Sequence, residues 1–380
     1  MKKDVVIVGA GKIGGTIADL LNLTGNYAVT VIDRSETQLA ALSSEQAVSV
    51  RMVDVNDQNA LAALLRGRFA VLSAAPYDLT IRIAEAAAKN AVHYLDLTED
   101  VASTRAVRKL AATAERAFIP QCGLAPGFVS IVAADLARRF DTIEDLRLRV
   151  GALPQFPSNA LNYNLTWSTE GIINEYCEPC EAIVNGARTL VAPMEGLEEF
   201  SLDGMTYEAF NTSGGLGSLC DSLEGRVRTL NYRTIRYPGH AAIMKALLND
   251  LRLSDRRELL KDILEKALPA TSQDVVIIFV TATGSRNGRL VQETYANKIY
   301  SHSIGGKVRS AIQTTTASGI CAVLDLLADG TLPQRGFLRQ EEIALEQFLA
   351  NRFGRAFAGR ETVGATAPST RSLRKQAALA

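Results

Sequence analysis

The chain has 380 residues, 47% hydrophobic and 22% charged, the make-up of a globular protein long enough for two domains. Its 41 basic and 41 acidic residues cancel, so no net field draws it to nucleic acid or to an anionic membrane. No apolar run reaches the ~18 residues of a membrane span, and a cytoplasmic protein is the expectation.

The opening, MKKDVVIVGAGKIGG, is interrupted by Asp4 and reads as a strand entering a glycine turn, not as a signal peptide. Strand candidates follow at 4–8, 28–32, 47–53, 70–74, 93–97 and 117–121, with amphipathic stretches such as 59–65 and 81–89 between them. This alternation predicts an α/β fold with a doubly wound (Rossmann) parallel sheet. Gly9, Gly11 and Gly14 have the GxGxxG spacing directly after a strand and before a helix, with Lys12 and Ile13 inside the motif. That context cradles a pyrophosphate at a helix N-terminus. Asp33, 19 positions beyond Gly14, is placed to accept hydrogen bonds from the ribose hydroxyls, which favours NAD over NADP. Arg34 beside it can accommodate a 2′-phosphate. Asp54 and Val55, ending the third strand, are placed for the adenine. Ala74, Ala75 and Pro76 after strand four, Leu97 after strand five and Cys122 after strand six are expected along the nicotinamide half.

From about residue 140 the texture changes to longer strands at 145–153, 226–235, 274–283 and 289–300, the last two joined by a GSRNG turn. Helical stretches at 168–176 and 240–267 interrupt them, which predicts a second, α+β domain on a mixed or antiparallel sheet. Helices follow at 313–329 and 340–357, and the tail from about 359 lacks periodicity and is expected to be disordered. The domain division is thus 1–127 for the dinucleotide, 128–312 for substrate and dimerisation, 313–358 for helices returning to the first domain, and 359–380 for the tail.

The five cysteines are odd in number and scattered. Cys177 and Cys180 have CxxC spacing, but no second pair or nearby histidine completes a metal site, so two free thiols and no metal are expected. Polar clusters in the second domain exceed what periodicity explains. They contain Asn164, Trp167 and Ser168, then Thr212 and Ser213, then Arg233, Arg236 and His240. Each suits capping or strand pairing as well as ligand binding. Either arginine can clamp a carboxylate bidentately, and His240 follows a Pro-Gly turn at a helix start. His93 begins a buried strand and reads as a packing residue, while His302 gives no signal.

On GAGKIGG, SAAPYDLT, YLDLTED, the GLAPG turn, LTWS and TIRYPGH, the chain resembles the saccharopine dehydrogenase-like family over about residues 3–355. The stretches QCGLAPGFVSIVAADLA and YNLTWSTEGIINEY are similar to the branch that oxidises free lysine. The resemblance implies NAD-dependent oxidation of L-lysine at its ε-carbon, with release of ammonia and of allysine, which cyclises to piperideine-6-carboxylate. It also implies a homodimer or larger assembly. Tyr77 and Cys122 match positions near the nicotinamide in relatives. Saccharopine-forming relatives carry an acidic residue in the GLxPG turn where this chain has Ala125, which weakens assignment to saccharopine itself. Amine oxidation needs a proton acceptor. Asp96, just past strand five, is the first candidate, His240 the second and Tyr77 the third; capping of the next turn is the competing role for Asp96. Saccharopine or carboxyalkyl-polyamine chemistry, and a non-enzymatic nucleotide sensor on the same fold, are the alternatives.

Overall fold

A computed structural model describes residues 2–45 and 48–358, so the expected disordered tail lies outside the described residues. The first half alternates strand and helix: β1 (Lys3–Val8), α1 (Lys12–Leu23), β2 (Tyr27–Asp33), α2 (Glu36–Glu45), β3 (Ser49–Met52), α3 (Gln58–Leu65), β4 (Ala70–Ser73), α4 (Thr80–Lys89), β5 (His93–Asp96), α5 (Val101–Ala111) and β6 (Ala117–Ile119). These strands pair in parallel in the order β6-β5-β4-β1-β2-β3. The order reverses at β1, which sits centrally with Val5 opposite Val29 on one side and Ala70 on the other. Helices cover both faces, so Val5, Val6 and Ile7 are wholly buried and β1 is apolar without alternation. His93 is buried, with Nδ1 accepting from Ala117 N, as a packing residue should be.

The second half begins with α6 (Phe128–Ala137), which is buried on nearly every side and joins the two sheets. It leads to β7 (Thr142–Pro154), α7 (Thr169–Cys177), β8 (Cys180–Val184), β9 (Ala187–Val191), β10 (Glu198–Leu202) and β11 (Met205–Asn211). After these come α8 (Leu219–Leu223), β12 (Val227–Arg236), α9 (His240–Lys245), α10 (Arg257–Ala267), β13 (Asp274–Arg286) and β14 (Arg289–Tyr300). The sheet order is β10-β11-β12-β7-β13-β14, with the β8–β9 hairpin branching from β12. β12 runs parallel to β7 while its other neighbours are antiparallel, so the sheet is mixed.

Three local expectations need correction. Strands β8 to β11 add to the elements expected from the sequence, which places no strand between 176 and 226; their hairpins turn on Asn185-Gly186 and Asp203-Gly204, all at positive φ. The turn expected over 284–288 shrinks to Asn287-Gly288, because β13 pairs with β14 as far as Arg286 opposite Arg289. The helical stretch 240–267 breaks at Arg252, whose φ of 53° is incompatible with a continuing right-handed helix.

The chain then forms a small hairpin, β15 (His302–Ile304) and β16 (Lys307–Arg309), before α11 (Ala311–Ala328), β17 (Gly336–Phe337) and α12 (Leu345–Ala350). β17 extends the first sheet at β6. The helix expected over 340–357 is reduced to α12 with single 3₁₀ turns at Gln340–Glu342 and Gly354–Phe357. α11 opens with a Ser310–Gln313 capping box, and Asp274 of β13 accepts from Ala311 N and Ile312 N. It lies against α1, and Tyr27 OH donates to Asp325 at 2.6 Å. At 18 residues and mean hydropathy 1.3, α11 is long and apolar enough to cross a membrane, contrary to the expectation from the sequence, but 72% of it is buried inside the protein.

α11 seats against the loop after β6 because residue 319 is glycine. A Cβ there would stand 2.6 Å from Cys122 O and 2.9 Å from Gly123 O. Gly319→Ala is therefore expected to cost about 1–3 kcal/mol from overpacking. A lowered chemical-denaturation midpoint, with dinucleotide binding weakened through the displaced 122–127 loop, checks this.

Candidate active site

The nucleotide end follows from local geometry. Gly11 caps α1 without a side chain, so the first N–H groups of the helix have no side-chain acceptor. A Cβ at Gly11 would meet nothing within 4 Å, whereas one at Gly14 would collide with Gly9 O. Gly11 thus borders open space at the positive end of the helix, and Gly14 is the close-packing glycine. Lys12 is exposed and Ile13 half-buried beside that space. Gly9 sits against β4's end, where a Cβ would be 2.7 Å from Ala74 O; Ala75 is half-buried and Pro76 exposed just beyond. A dinucleotide fits this edge, its pyrophosphate on the α1 amides and its far half beyond β4 and β5.

Asp33 accepts from Ala10 N at 2.8 Å and Ser35 N at 2.8 Å, so it ties the glycine turn to β2 and keeps one lone pair per oxygen for a ribose. Arg34 is exposed beside it. Asp54 is exposed and accepts from Asn56 N, whereas Val55 is buried in the core between β1 and α3 and does not face the adenine.

Beyond β5 the expected roles change. Asp96 is buried, and its carboxylate accepts from Gln121 N, Thr98 N and Tyr94 OH at 2.8–3.0 Å. It staples the loops after β5 and β6 instead of waiting for an amine; burial lifts its pKa to about 6 despite those donors. Leu97 is half-buried next to it. Cys122 is buried too: its thiol donates to Ile119 O at 3.0 Å and lies 3.2 Å from Gln340 Nε2, so its side chain serves the core. Tyr77 is 52% exposed.

In the second half, Ser168 is the N-cap of α7, accepting from Gly171 N, and the Trp167 ring packs against Gly171, where a Cβ would stand 2.4 Å from it, so both are structural. Asn164 is buried and accepts from Asn159 Nδ2. Arg233 pairs with Glu198 at 2.7 Å alongside Arg149. It alternates with Arg236 along β12 and so faces the opposite side of the sheet. The two arginines cannot form one clamp.

Arg236 is buried, with Nε donating to Tyr176 OH at 2.8 Å and Nη1 to Ile235 O at 2.8 Å. Its guanidinium lies 5.1 Å from the Tyr163 ring centroid and 5.7 Å from that of Tyr176. Among the described residues its Nη2 has no hydrogen-bond partner. His240 completes a relay. Its Nδ1 donates to Leu161 O at 2.9 Å, because a carbonyl only accepts, so Nε2 accepts from Tyr176 OH at 3.1 Å. Burial and the Arg236 charge push the imidazole pKa down to about 3, which keeps the ring neutral. His240 therefore orients Tyr176 and, through it, Arg236; it is no proton acceptor for a substrate. The cavity behind it, lined by Leu161, Tyr163, Tyr176 and Met244, is ≈ 10 Å³, room for one water.

Two carboxyls that sequence reasoning passed over occupy the seam. Glu99, in the loop after β5, is hydrogen-bonded to buried Glu175 of α7. The 212–217 segment holds them together. Ser213 N donates to Glu175 O, and a Cβ on Gly214 would stand 3.1 Å from Glu99 Cβ. Among the described residues, Thr212 Oγ1 in the same segment is buried without a hydrogen-bond partner. No motif flags this pair, because its members are 76 positions apart (175 − 99) and meet only through the fold.

Comparison with known proteins agrees with this layout. The family model described as Saccharopine dehydrogenase NADP binding domain matches residues 5–119, and Saccharopine dehydrogenase C-terminal domain matches 123–355. The mitochondrial alpha-aminoadipic semialdehyde synthase of Rattus norvegicus is 23% identical over 316 residues, 78% of this chain and 33% of that protein. The chain thus spans about a third of the length of that relative. Saccharopine dehydrogenase (NADP(+), L-glutamate-forming) of Pyricularia oryzae is 23% identical over 306 residues, 73% of this chain and 66% of that one. Among solved structures, the apo saccharopine dehydrogenase (L-Glu forming) of Saccharomyces cerevisiae superposes with a TM-score of 0.77 at 17% identity, covering 91% of this chain and 97% of that one. That likeness establishes the shared fold.

The two glycines separate binding from folding. Gly11→Ala is expected to leave the fold intact and weaken dinucleotide binding by about 1–3 kcal/mol, roughly 5- to 150-fold. Gly14→Ala should instead lower thermal stability. Fluorescence titration with reduced dinucleotide, alongside thermal melts, checks both.

Proposed function

The chain belongs to the saccharopine dehydrogenase family, and on that premise we propose that it oxidises the ε-amine of free L-lysine with a nicotinamide dinucleotide, a lysine 6-dehydrogenase activity. The observation that carries this reading is the charge layout of the seam. Arg149 and Arg236 are the buried arginines among the described residues, and Arg149 is paired with Glu198 on the far side of the sheet. Arg236 alone faces the Glu99–Glu175 pair. One buried cation opposite an acidic pair suits a ligand with one carboxylate at one end and an amine at the other. Saccharopine carries three carboxylates, and two of them would meet acidic groups without an arginine.

The chain's residues then have distinct tasks. The open edge at Gly11 and the α1 amides hold the pyrophosphate, and Ala74 and Ala75 border the nicotinamide half. When bound, the nicotinamide accepts a hydride from the ε-carbon. Arg236, fixed by Tyr176 and His240, takes the α-carboxylate through Nη2, which aligns the far end of the substrate. Thr212 Oγ1 supplies a further polar contact.

Cofactor preference turns on Asp33 and Arg34. Asp33 retains lone pairs for the ribose hydroxyls of NAD, and exposed Arg34 can pair with the 2′-phosphate of NADP. The NADP description of the matched domain and of the fungal relative supports that second use. We read the site as accepting both. Arg34→Ala should then weaken NADP by about 1 kcal/mol, roughly fivefold, and leave NAD unchanged; paired binding titrations check it.

Production of reduced dinucleotide with L-lysine, followed at 340 nm beside saccharopine, tests the activity itself. A higher kcat/KM for lysine is expected, and turnover of saccharopine alone would refute the reading. Arg236→Lys keeps the charge but loses the bond to Tyr176. It is expected to raise KM for lysine at least about 30-fold, the effect of ~2 kcal/mol at a buried charge contact, with dinucleotide affinity unchanged.

A further inference from the structure

The three proton acceptors expected from sequence leave the chemistry without a base. Asp96 is consumed by three donors, His240 is committed at both nitrogens, and Tyr77 is an exposed phenol. What the fold places between the C-terminal end of β5 and Arg236 is the Glu99–Glu175 contact. Two carboxyls hydrogen-bonded to each other cannot both be ionised, so the pair holds one proton between them. Burial raises both, and Glu99 further opposes the ionisation of Glu175. Glu175 is buried while Glu99 is half-buried, so Glu99 is the member that a ligand can reach.

We infer that Glu99 and Glu175 work as one acid/base unit, with Glu175 keeping the shared proton and Glu99 receiving the proton of the substrate amine. This rests on the amine-oxidation reading. The ε-ammonium gives one N–H proton to Glu99. The nitrogen lone pair then forms C=N as the C–H pair leaves as hydride to the nicotinamide, the two-electron oxidant. Glu99 then releases that proton to solvent. Water adds to the imine carbon with its proton going to Glu99, which passes it to the departing amine as the carbinolamine O–H proton is lost to solvent and C=O forms. The sum is R–CH₂–NH₃⁺ + NAD(P)⁺ + H₂O → R–CHO + NH₄⁺ + NAD(P)H + H⁺, balanced in atoms and charge. The groups facing the pair are Asp100 from the α5 cap, Arg236 and Tyr232 from β12, Tyr163, Tyr176 of α7, and Cys180 of β8. Of these, Arg236 favours the ionised form and Asp100 opposes it.

The sign of the pH dependence follows. With both carboxyls protonated the amine has no acceptor, so kcat/KM should fall as pH drops below neutral. Glu99→Gln should abolish that acid limb and lower kcat about 100-fold or more, with dinucleotide affinity unchanged. Glu99→Asp should recover part of the loss, and Glu175→Gln should shift the limb. Difference-infrared titration of the protein without dinucleotide should show a carboxyl band ionising near neutral pH that is lost in Glu99→Gln and altered in Glu175→Gln. If wild type oxidises lysine while Glu99→Gln keeps its rate and pH profile, or if no such band titrates, this inference is overturned and the amine-oxidation reading stands. If wild type oxidises no amine, the reading itself fails and takes the inference with it.

Discussion

The close approach of the 212–217 segment to the first sheet is the constraint on which the site depends. Gly214, with φ of 85°, lies against Glu99, and a Cβ on Gly217 would stand 2.9 Å from Gln121 Oε1 and 3.1 Å from Pro126 Cβ. Gly215 lets the Tyr232 ring lie directly on its backbone. Side chains at these positions would hold the second sheet away from the carboxyl ends of β5 and β6. With glycines, α7 is drawn in by the Ser213–Glu175 hydrogen bond, and its carboxyl reaches Glu99. The seam is thus a product of backbone contact, and its charged groups meet because nothing bulkier intervenes.

That contact explains how expensive groups are kept where they are. A buried arginine and a buried carboxyl each carry a desolvation cost that only well-made partners offset. Arg236 has Tyr176, Ile235 O and two aromatic faces, and Glu175 has Glu99 and the Arg236 charge. Asp96 and Glu208 are carboxylates of another kind. Asp96 staples two loops, and Glu208 accepts from Gly239 N and Ala241 N to cap α9. Acidity alone therefore does not distinguish chemistry from architecture; the partners do. A carboxylate saturated by backbone N–H groups is structural, whereas one facing another carboxyl holds a movable proton.

Legibility in the sequence divides along the same line. The doubly wound sheet, Gly9, Gly11, Gly14 and Asp33 were readable, because their signals lie within one strand-turn-helix unit. The mixed sheet was readable in outline, but β8 to β11 were missed although Asn185-Gly186 and Asp203-Gly204 carried the hairpin signal. Ser168 and Trp167 leave capping and ligand binding both open in the sequence, because a cap and a packing ring look polar or aromatic in one dimension, and the fold shows the structural role. Arg233 and Arg236 shared a stretch but not a face, which strand alternation alone would have told. Glu99 and Glu175 lie within the YLDLTED and YNLTWSTEGIINEY stretches, but only tertiary contact gives them meaning.

The central claim is that the seam between the two sheets oxidises lysine at the end remote from Arg236. Lysine deuterated at C6 and lysine deuterated at C2, each turned over with oxidised dinucleotide and the reduced product read by mass and NMR, address it most directly. The account predicts deuterium at C4 of the reduced nicotinamide from the C6-labelled substrate and none from the C2-labelled one. Label arriving from C2 would contradict it, since the α-carbon would then be the one held at the nicotinamide.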